Sequence, residues 1–383
     1  MAIYCPLWHR YPHMDAWKGE GWTEWTLLQN ATPRFKGHYQ PLRPTWGCFD
    51  ETDPKWSAKE IDLAADHGID VFLVDWYWYN GVKLMEETLE RGLLRAPNRR
   101  RVRFALMWAN HHWADYFPAP YTGTWNWWLP SRHSLRDLEN VIDYGIEHYF
   151  RQPNYWRLED RLFFSVHLPV RFIEALGGSE KTKRALRRMD RRLHARGLPA
   201  MHWNCMTNEA ARVPELKSAG FQSVTTYNVK ASGKIGPTDE PIEQYEDIMK
   251  AHRRHWHAMS QTALPHFPVV TVGWDVTPRC RKDVPWPFKP SPTGCPNLPF
   301  PDPSAPGERV YPYIHVVVGN TPQRFERLCR NVFQHLRETQ ATPRVVLLNA
   351  WNEWTEGCFL LPEKRYGDGY LKAIRNAFGA TSQ

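Results

Sequence analysis

The sequence predicts a single (β/α)8 barrel that spans residues 1–383. Short apolar runs recur along the chain at intervals long enough for helices, and amphipathic segments fill most of those intervals. Alternation of this kind indicates a parallel sheet, and eight units indicate that the sheet closes into a barrel. Neither an internal repeat nor a linker divides the chain. In order, the runs are Ile3–Leu7, Val71–Val74, Val102–Met107, Leu162–Val166, Pro199–Cys205, Ser223–Tyr227, Val269–Val272 and Val345–Leu348.

Helices are predicted between most of these strands, because apolar residues recur there with helical spacing. Two long segments interrupt the alternation. His9–Asp53, rich in Trp, Gly and Pro, would form a long loop after the first strand, and the proline-rich Arg279–Tyr311 would follow the seventh. Long loops within a compact domain are usually functional or disordered, and we expect both to wall an active-site cleft. The predicted helices are Ser57–His67, Glu139–Phe150, Lys181–Arg196, Val213–Ala219 and Pro322–Leu336.

The composition is that of a soluble globular chain. Hydrophobic residues make up 42% of the 383 positions and the mean hydropathy is -0.61, which is enough apolar material for a large core. No apolar run approaches the roughly 20 residues that span a membrane, so no membrane span is predicted. The N-terminus lacks the charged and then apolar segments of a signal peptide. We expect a secreted or periplasmic protein if a leader was removed, and a cytoplasmic one otherwise.

The chain is basic, with a net charge of +8 and a pI of 9.1. Much of this charge lies in Arg95–Arg103 and Lys181–Arg196. Such stretches are typical of solvated helix and loop surface. Alternatively, they attract an anionic polymer such as a uronate- or sulfate-bearing glycan. No nucleic-acid partner is predicted, because no recognised binding motif accompanies the charge.

The seven cysteines form no Cys-x-x-Cys pair, so neither a zinc framework nor a disulfide scaffold is indicated. Cys280 and Cys295 would close a loop in an oxidising compartment. His111-His112 and the polar residues at the strand ends carry atoms that a metal accepts as ligands, but no spacing specifies a site. The sequence therefore predicts neither a metal nor another cofactor.

Aromatic residues are unusually frequent, with 20 Trp, 16 Tyr and 17 Phe. Many Trp residues cluster near the ends of the apolar runs, and polar residues follow each run. A parallel barrel brings these ends to one face, where flat rings suit the C–H faces of sugars. Taken singly, any such residue could instead cap a helix or pack in the core. The residues that we expect to line the cleft are Trp8, His9, Glu24, Asp75, Trp76, Trp108, Asn110, Tyr227, Trp274, Asp275, Asn352 and Trp354.

Two glutamates, Glu353 and Glu356, follow the last apolar run within the segment Leu347–Gly357. They lie just past the predicted eighth strand, where α/β barrels place their chemistry. Two carboxylates are the groups that cleave a glycosidic bond, since one protonates the leaving oxygen and the other acts at the anomeric side. The alternative is an i,i+3 pair on the first turn of a helix, favoured there by the helix dipole.

Several short motifs occur in a characteristic order: Gly21–Thr26, Phe35–Pro41, Gly68–Asp70, Trp76–Gly81, Trp108–Asn110, Gly273–Arg279, Asn349–Gly357 and Tyr366-Gly367. In order and spacing they resemble the WbsX-like proteins, over nearly the whole chain. Those proteins are similar to the endo-α-mannosidases of glycoside hydrolase family ninety-nine, which are (β/α)8 barrels. The WbsX name itself came from polysaccharide biosynthesis and was attached to glycosyltransferases.

The endo-α-mannosidases carry their catalytic pair in an Asn-Glu-Trp-x-Glu-Gly motif, which matches Asn352–Gly357. The resemblance implies that Glu356 is the general acid/base and that Glu353 acts on the sugar 2-hydroxyl, through an epoxide-like intermediate. Glu356 would then be protonated at rest, with its pKa raised by burial or a like charge, while Glu353 stays ionised. Double displacement with Glu353 as nucleophile is an alternative, as is inversion through a water with Asp75 or Glu24 as the partner.

The expected function is that of a glycoside hydrolase that acts within a polysaccharide, acidic and sulfated polymers included. One alternative is a glycosyltransferase of polysaccharide biosynthesis, although the chain has no Asp-x-Asp and no Gly-rich loop after a strand. The other alternative is a barrel that binds glycans without catalysis, although binding alone does not require two close carboxylates. No pattern indicates an oligomeric state.

Overall fold

The computed structural model describes residues 1–115, 117–120, 126–229, 242–284 and 311–379. Within them, eight parallel strands form a barrel in which each strand pairs with the next along the chain. The first strand pairs with the last, with Ala2 opposite Leu348, so the predicted (β/α)8 barrel is confirmed. The strands are β1 (Ala2–Tyr4), β2 (Val71–Tyr79), β3 (Arg103–Trp108), β4 (Arg161–Val166), β5 (Met201–Met206), β6 (Ser223–Thr225), β7 (His266–Phe267 and Val269–Thr271) and β8 (Leu347–Asn349).

Strand β7 is split at Pro268, which lacks the N–H that a continuous ladder requires. Its first piece pairs with β6, where His266 lies opposite Val224. Its second piece pairs with β8, where Val269 lies opposite Leu347. The Leu347 N–H donates to the Pro268 carbonyl (2.9 Å) across the break. The split strand therefore joins the two edges of the sheet and completes the barrel.

Helices cover the outside of the barrel, and all five predicted helices are present. Three of them begin with a side-chain cap that satisfies an N–H of the first turn: Asp53, Ser134 and Thr321 accept these bonds. No helix in the described ranges is long and apolar enough to cross a membrane. The helices are α1 (Pro12–Lys18), α2 (Glu24–Asn30), α3 (Pro54–Asp66), α4 (Leu135–His148), α5 (Pro169–Ala175), α6 (Ser179–His194), α7 (Val213–Ser218), α8 (Tyr245–Ser260), α9 (Pro322–Glu338) and α10 (Gly369–Phe378).

The first of the two long connections differs from its predicted form, and most of the second lies outside the described residues. The segment after β1 is not one extended loop, because it contains α1 and α2. Of the second segment, residues 285–310 lie outside the described residues, and so does Cys295, the expected partner of Cys280. Short strands decorate the connections: Val82–Leu84 beside β2, Arg157–Leu158 beside β4, Trp113–Ala114 with Trp127–Leu129, Ile242–Gln244 with Val316–Val318, and Asn352–Glu353 with Cys358–Phe359.

Strand β2 shows how the barrel sorts its side chains. All nine of its residues are buried, and successive side chains of a strand point to opposite faces. Asp75 and Tyr77 face the inside of the barrel, where they line a cavity at its mouth. Trp76 and Trp78 face the helices and pack against Tyr144 of α4. Alternate residues of one strand therefore belong either to the site or to the outer core.

Candidate active site

The glutamate pair lies on a short turn that follows β8. Asn352–Glu353 and Cys358–Phe359 form a two-stranded ribbon, and the 3₁₀ turn Trp354–Glu356 lies between them. Gly357 ends that turn with φ +66°, and a Cβ atom there would lie 2.8 Å from Asp275. Only glycine suits both this left-handed backbone and the lack of space. The turn directs both carboxyl groups into the mouth of the barrel.

One buried arginine holds both carboxyl groups. Arg279 donates from Nη2 to Oε1 of Glu353 (2.9 Å), and its Nη1 donates to Oε1 of Glu356. Its Nε donates to the Thr355 hydroxyl (3.1 Å), and its guanidinium carbon lies 4.7 Å from the ring centre of Phe117. Arg279 is only 7% exposed. Because one planar guanidinium binds both groups, the two carboxylates lie side by side.

Two tyrosine hydroxyls orient Glu356. Tyr227 donates to Oε2 (3.2 Å), and Tyr311 donates to Oε1 (3.1 Å). The Tyr311 hydroxyl also accepts a hydrogen bond from Arg279 (2.6 Å). Glu356 therefore has three hydrogen-bond donors around it, which fix the direction of its carboxyl group.

The pair opens into a cavity of about 530 Å³, here called the central cavity. Glu24 and Asp75 also line it, so four acidic side chains face two basic ones, Arg279 and Lys18. The volume lies in the range of small-molecule binding sites. Within the described residues, no group of three or more His, Cys, Asp and Glu side chains is arranged to hold a metal ion. Rings form much of the remaining wall: Trp22, Tyr77, His111, Trp113, Phe117, His167, Tyr227, Trp274 and Tyr311.

Burial raises the pKa of three acidic groups in the central cavity. The pKa of Glu353 rises to about 7, because burial outweighs the charge of Arg279 and the charge of Glu356 adds to the rise. Burial also raises the pKa of Glu24 against the charge of Arg279. Burial raises the pKa of Asp75 well above its usual value, and the charge of Glu353 contributes to this rise. Burial therefore raises the pKa of Glu353, although the resemblance requires this glutamate to be ionised.

This raised pKa predicts the pH dependence of stability. The folded value of about 7 exceeds the ordinary value of 4.5, so the stability that Glu353 contributes is present below pH 4.5 and lost as the pH rises through 7. Glu353→Gln removes this titration. We expect the wild-type Tm to fall relative to the Tm of the variant as the pH rises from about 4.5 to about 8. Thermal unfolding of both proteins across this range checks the sign, and a constant Tm difference would contradict it.

The structure brings six of the predicted site residues together and leaves eight elsewhere. The six that line the central cavity are Glu24, Asp75, Tyr227, Trp274, Glu353 and Glu356. His9 is an example of the others, since it is buried and its Nδ1 lies 2.9 Å from the Thr88 hydroxyl. The eight that do not line this cavity are Trp8, His9, Trp76, Trp108, Asn110, Asp275, Asn352 and Trp354.

Four of the predicted tryptophans are core residues, contrary to expectation. Trp76 and Trp108 lie on the outward faces of β2 and β3, because alternate side chains of these strands face the cavity. Trp8 and Trp354 are fully buried, and both pack beside Trp25. The abundance of tryptophan therefore serves the outer core as well as the cavity wall.

Two of the predicted asparagines clamp neighbouring strand ends instead of facing the cavity. The Asn352 side chain accepts from the Cys5 N–H (2.7 Å) and donates to the Cys5 carbonyl (2.9 Å). Asn110 forms the same pair of bonds with Leu168 (2.6 and 3.1 Å). Because Asn352 directly precedes Glu353, its bonds to the end of β1 hold the glutamate turn in place.

Asp275 positions Arg279 rather than lining the central cavity. It accepts from the Gln40 amide (2.6 Å) and the Thr277 hydroxyl (2.7 Å), and the Nε2 atom of His38 lies 2.8 Å away. Burial alone would raise its pKa, but the charge of His38 and these hydrogen bonds lower it to about 2. Its bond to the Thr277 N–H begins the 3₁₀ turn Thr277–Arg279, so the carboxylate fixes the segment that carries Arg279.

Several residues of this site are not in the set that the sequence predicted to line the cleft, and Tyr77, Arg279 and Tyr311 are among them. Tyr77 follows Asp75 by two positions on β2, so strand periodicity could have identified it. Arg279 could have been inferred from charge, because buried carboxylates require a cation nearby. No local pattern marks Tyr311, the last residue of the proline-rich segment Arg279–Tyr311.

Solved structures with a similar fold include glycoside hydrolases. The GH99 endo-alpha-mannosidase from Bacteroides thetaiotaomicron superimposes with a TM-score of 0.54 at 14% identity, over 99% of this chain and 95% of that one. Its complex with bis-tris propane gives 0.57 at 13% identity, over 99% and 98%. A glycoside hydrolase-like protein gives 0.57 at 14% identity, over 98% and 92%. At such identities the likeness shows the fold alone.

Two curated relatives align with nearly all of this chain, whereas this chain aligns with only part of each relative. They are the uncharacterized protein WxcX of Xanthomonas campestris pv. campestris strain B100, 26% identical over 387 residues, and that of strain ATCC 33913, 26% identical over 385 residues. Each alignment covers 98% of this chain and 49% of the relative. The chain therefore spans about half the length of the curated relatives it matches.

A family profile described as glycosyltransferase WbsX matches residues 1–285 and 308–374. The match includes most of the chain, Arg279 and both glutamates of the pair. It confirms the resemblance that the motifs indicated. The chain belongs to the glycosyltransferase WbsX family.

Proposed function

We propose that this chain is a glycoside hydrolase that cleaves within a polysaccharide. The observation that carries the proposal is the pair Glu353 and Glu356, held by one buried arginine in a cavity lined with rings. Glycosidic hydrolysis requires a proton donor for the leaving oxygen and a second carboxylate. A barrel that only binds sugars has no use for two adjacent buried carboxylates that a cation must neutralise. Fold likeness adds support, although one barrel fold hosts many activities.

In this proposal Glu356 protonates the leaving oxygen, and Glu353 acts at the neighbouring 2-hydroxyl or at the anomeric carbon. Tyr227 and Tyr311 hold Glu356 in position. Burial raises the pKa of Glu353 to about 7, so this group gains and loses a proton near neutral pH. The two roles are distinguishable, because only the acid is dispensable for a substrate whose leaving group needs no proton.

A second cavity supports action on a chain of sugars rather than on a single one. It has a volume of about 920 Å³ and adjoins the central cavity. Both cavities are lined by the same four residues, which form their junction: His167, Leu168, Tyr227 and Asn228. A substrate that occupies both cavities would place several sugar units along the mouth of the barrel, as an endo-acting enzyme requires.

Product analysis tests the proposal. Wild-type protein and Glu356→Gln are incubated with neutral, uronic-acid-containing and sulfated polysaccharides, and the products are identified by mass spectrometry. We expect the wild type alone to release oligosaccharides from at least one polymer. Equal release by the variant, or no release from any polymer, would count against the proposal.

The family description favours a second candidate, the transfer of a sugar from an activated donor. A glycosyltransferase of this kind would bind a nucleotide sugar, whereas the proposed hydrolase has no reason to do so. A thermal-shift panel of nucleotide sugars separates the two. Clear stabilisation by one of them, together with no product from any polymer, would favour transfer over hydrolysis.

A further inference from the structure

The second cavity differs from the central cavity in the charge of its walls. Three arginines and two glutamates line it: Arg171, Arg212, Arg254, Glu174 and Glu209. The central cavity has the opposite balance, with four acidic side chains against two basic ones. A negatively charged group on a substrate that spans both cavities would be attracted to the arginines of the second cavity.

Two of the three arginines are available to a ligand. Arg212 is not, because it forms ion pairs with Glu209 (3.4 Å) and Glu215 (3.5 Å). Arg171 is half-buried, and its Nη1 is buried without a hydrogen-bond partner among the described residues. Arg254 is exposed and forms no ion pair within the described ranges. An unpaired buried N–H is unfavourable, and an anionic oxygen placed in the cavity would satisfy it.

The backbone that carries Arg171 is rigidly connected to the central cavity. Arg171 lies in the first turn of α5, which begins shortly after β4 ends. Between the two elements, Leu168 is held on both its N–H and its carbonyl by Asn110. His167 and Leu168 themselves line both cavities. A guanidinium on such a support has a defined position relative to the glutamate pair, as a specificity-determining group requires.

We propose that the second cavity is a subsite for a sugar unit that bears a carboxylate or sulfate group, bound by Arg171 and Arg254. The inference rests on the proposed function in so far as one glycan occupies both cavities. Guanidinium groups bind such oxyanions through paired, charge-assisted hydrogen bonds. The substrate class is then an acidic polysaccharide, cleaved at a bond close to a charged sugar.

Binding to immobilised glycans tests the subsite without requiring turnover. The inactive Glu356→Gln protein is applied to an array of neutral, uronic-acid-containing and sulfated oligosaccharides, whose two anionic classes separate carboxylate from sulfate recognition. We expect binding to be confined to anionic oligosaccharides and to weaken in high salt. Adding Arg171→Gln or Arg254→Gln should weaken it by about tenfold or more.

Arg187→Gln is the matched control, because it removes the same charge from an exposed position on α6 that lines neither cavity. Because Arg171 is half-buried, the Tm of its variant is compared with that of the parent protein to detect a loss of stability. Arg254 is exposed, so its substitution tests the subsite without disturbing buried packing. Equal binding of neutral oligosaccharides, insensitivity to both substitutions, or no binding of any anionic oligosaccharide would overturn the subsite. Anionic binding without cleavage by the wild type would leave the subsite intact and contradict the hydrolase proposal instead.

Discussion

Replacing Glu356 with glutamine is expected to lower kcat by about 10³-fold or more while the fold survives. Glutamine has the size of glutamate, and its carbonyl oxygen can still accept from Arg279 and Tyr311, so that only the bond from Tyr227 to the second oxygen is lost. The amide, however, cannot deliver a proton to the leaving oxygen. Initial rates on the polysaccharide that product analysis identifies, together with the Tm of both proteins, provide the measurement.

Glu60→Gln is the matched control for this substitution. Glu60 is also a buried carboxyl group, and burial raises its pKa to about 7. It lies outside the central cavity and accepts hydrogen bonds from Tyr4 (2.8 Å) and Trp351 (3.0 Å). We expect its variant to keep the wild-type rate. A folded Glu356→Gln protein with near wild-type activity would remove Glu356 from the acid–base role.

An aryl glycoside with a good leaving group extends the same experiment to both glutamates. Such a leaving group departs without protonation, so a variant that lacks only the acid recovers activity on this substrate. We expect recovery for Glu356→Gln and none for Glu353→Gln. The opposite pattern would exchange the two roles, and it would agree with the raised pKa of Glu353.

The barrel strands and the location of the glutamate turn could be predicted because local apolar runs in the sequence mark both. Each barrel strand is an apolar run, and the turn follows the last of them directly. The direction of individual side chains could not be predicted in the same way. Parallel barrel strands are buried on both faces, so Asp75 and Trp76 carry no alternating pattern that would reveal which of them faces the cavity. The register of the barrel decides this, and it placed Trp76 and Trp108 in the outer core.

Contacts between distant segments account for the remaining site residues. Arg279 precedes its partners Glu353 and Glu356 by 74 and 77 residues, and Glu24 precedes its partner Thr355 by 331. No spacing rule covers such separations. The contact of Arg279 could nevertheless be expected on physical grounds, because two buried carboxylates require a cation nearby. Charge balance within a predicted cavity is therefore a better guide to these residues than periodicity.

Substitution of Arg279 with methionine is expected to reduce the free energy of unfolding by about 3–5 kcal/mol at neutral pH. Methionine is apolar and unbranched, but it leaves Glu353 and Glu356 buried without their shared cation. It also removes the donor to the Thr355 hydroxyl. Urea unfolding of the wild type and the variant at neutral pH measures the loss, and the same proteins are assayed for cleavage of the polysaccharide.

The loss caused by Arg279→Met should shrink at acid pH, and this dependence separates charge from packing. Arg279 lowers the pKa of Glu353 and Glu24 against the larger effect of burial, so both groups protonate more readily without it. Near pH 4, well below its pKa of about 7, Glu353 is neutral in both proteins and needs no cation. Arg279→Lys keeps the charge but not the planar guanidinium group, and we expect its stability to lie between those of the wild type and Arg279→Met.

If Arg279→Met were equally destabilised at both pH values, packing and not charge would hold the pair together. If the folded variant retained full activity, hydrolysis would not depend on the arginine that joins the two glutamates.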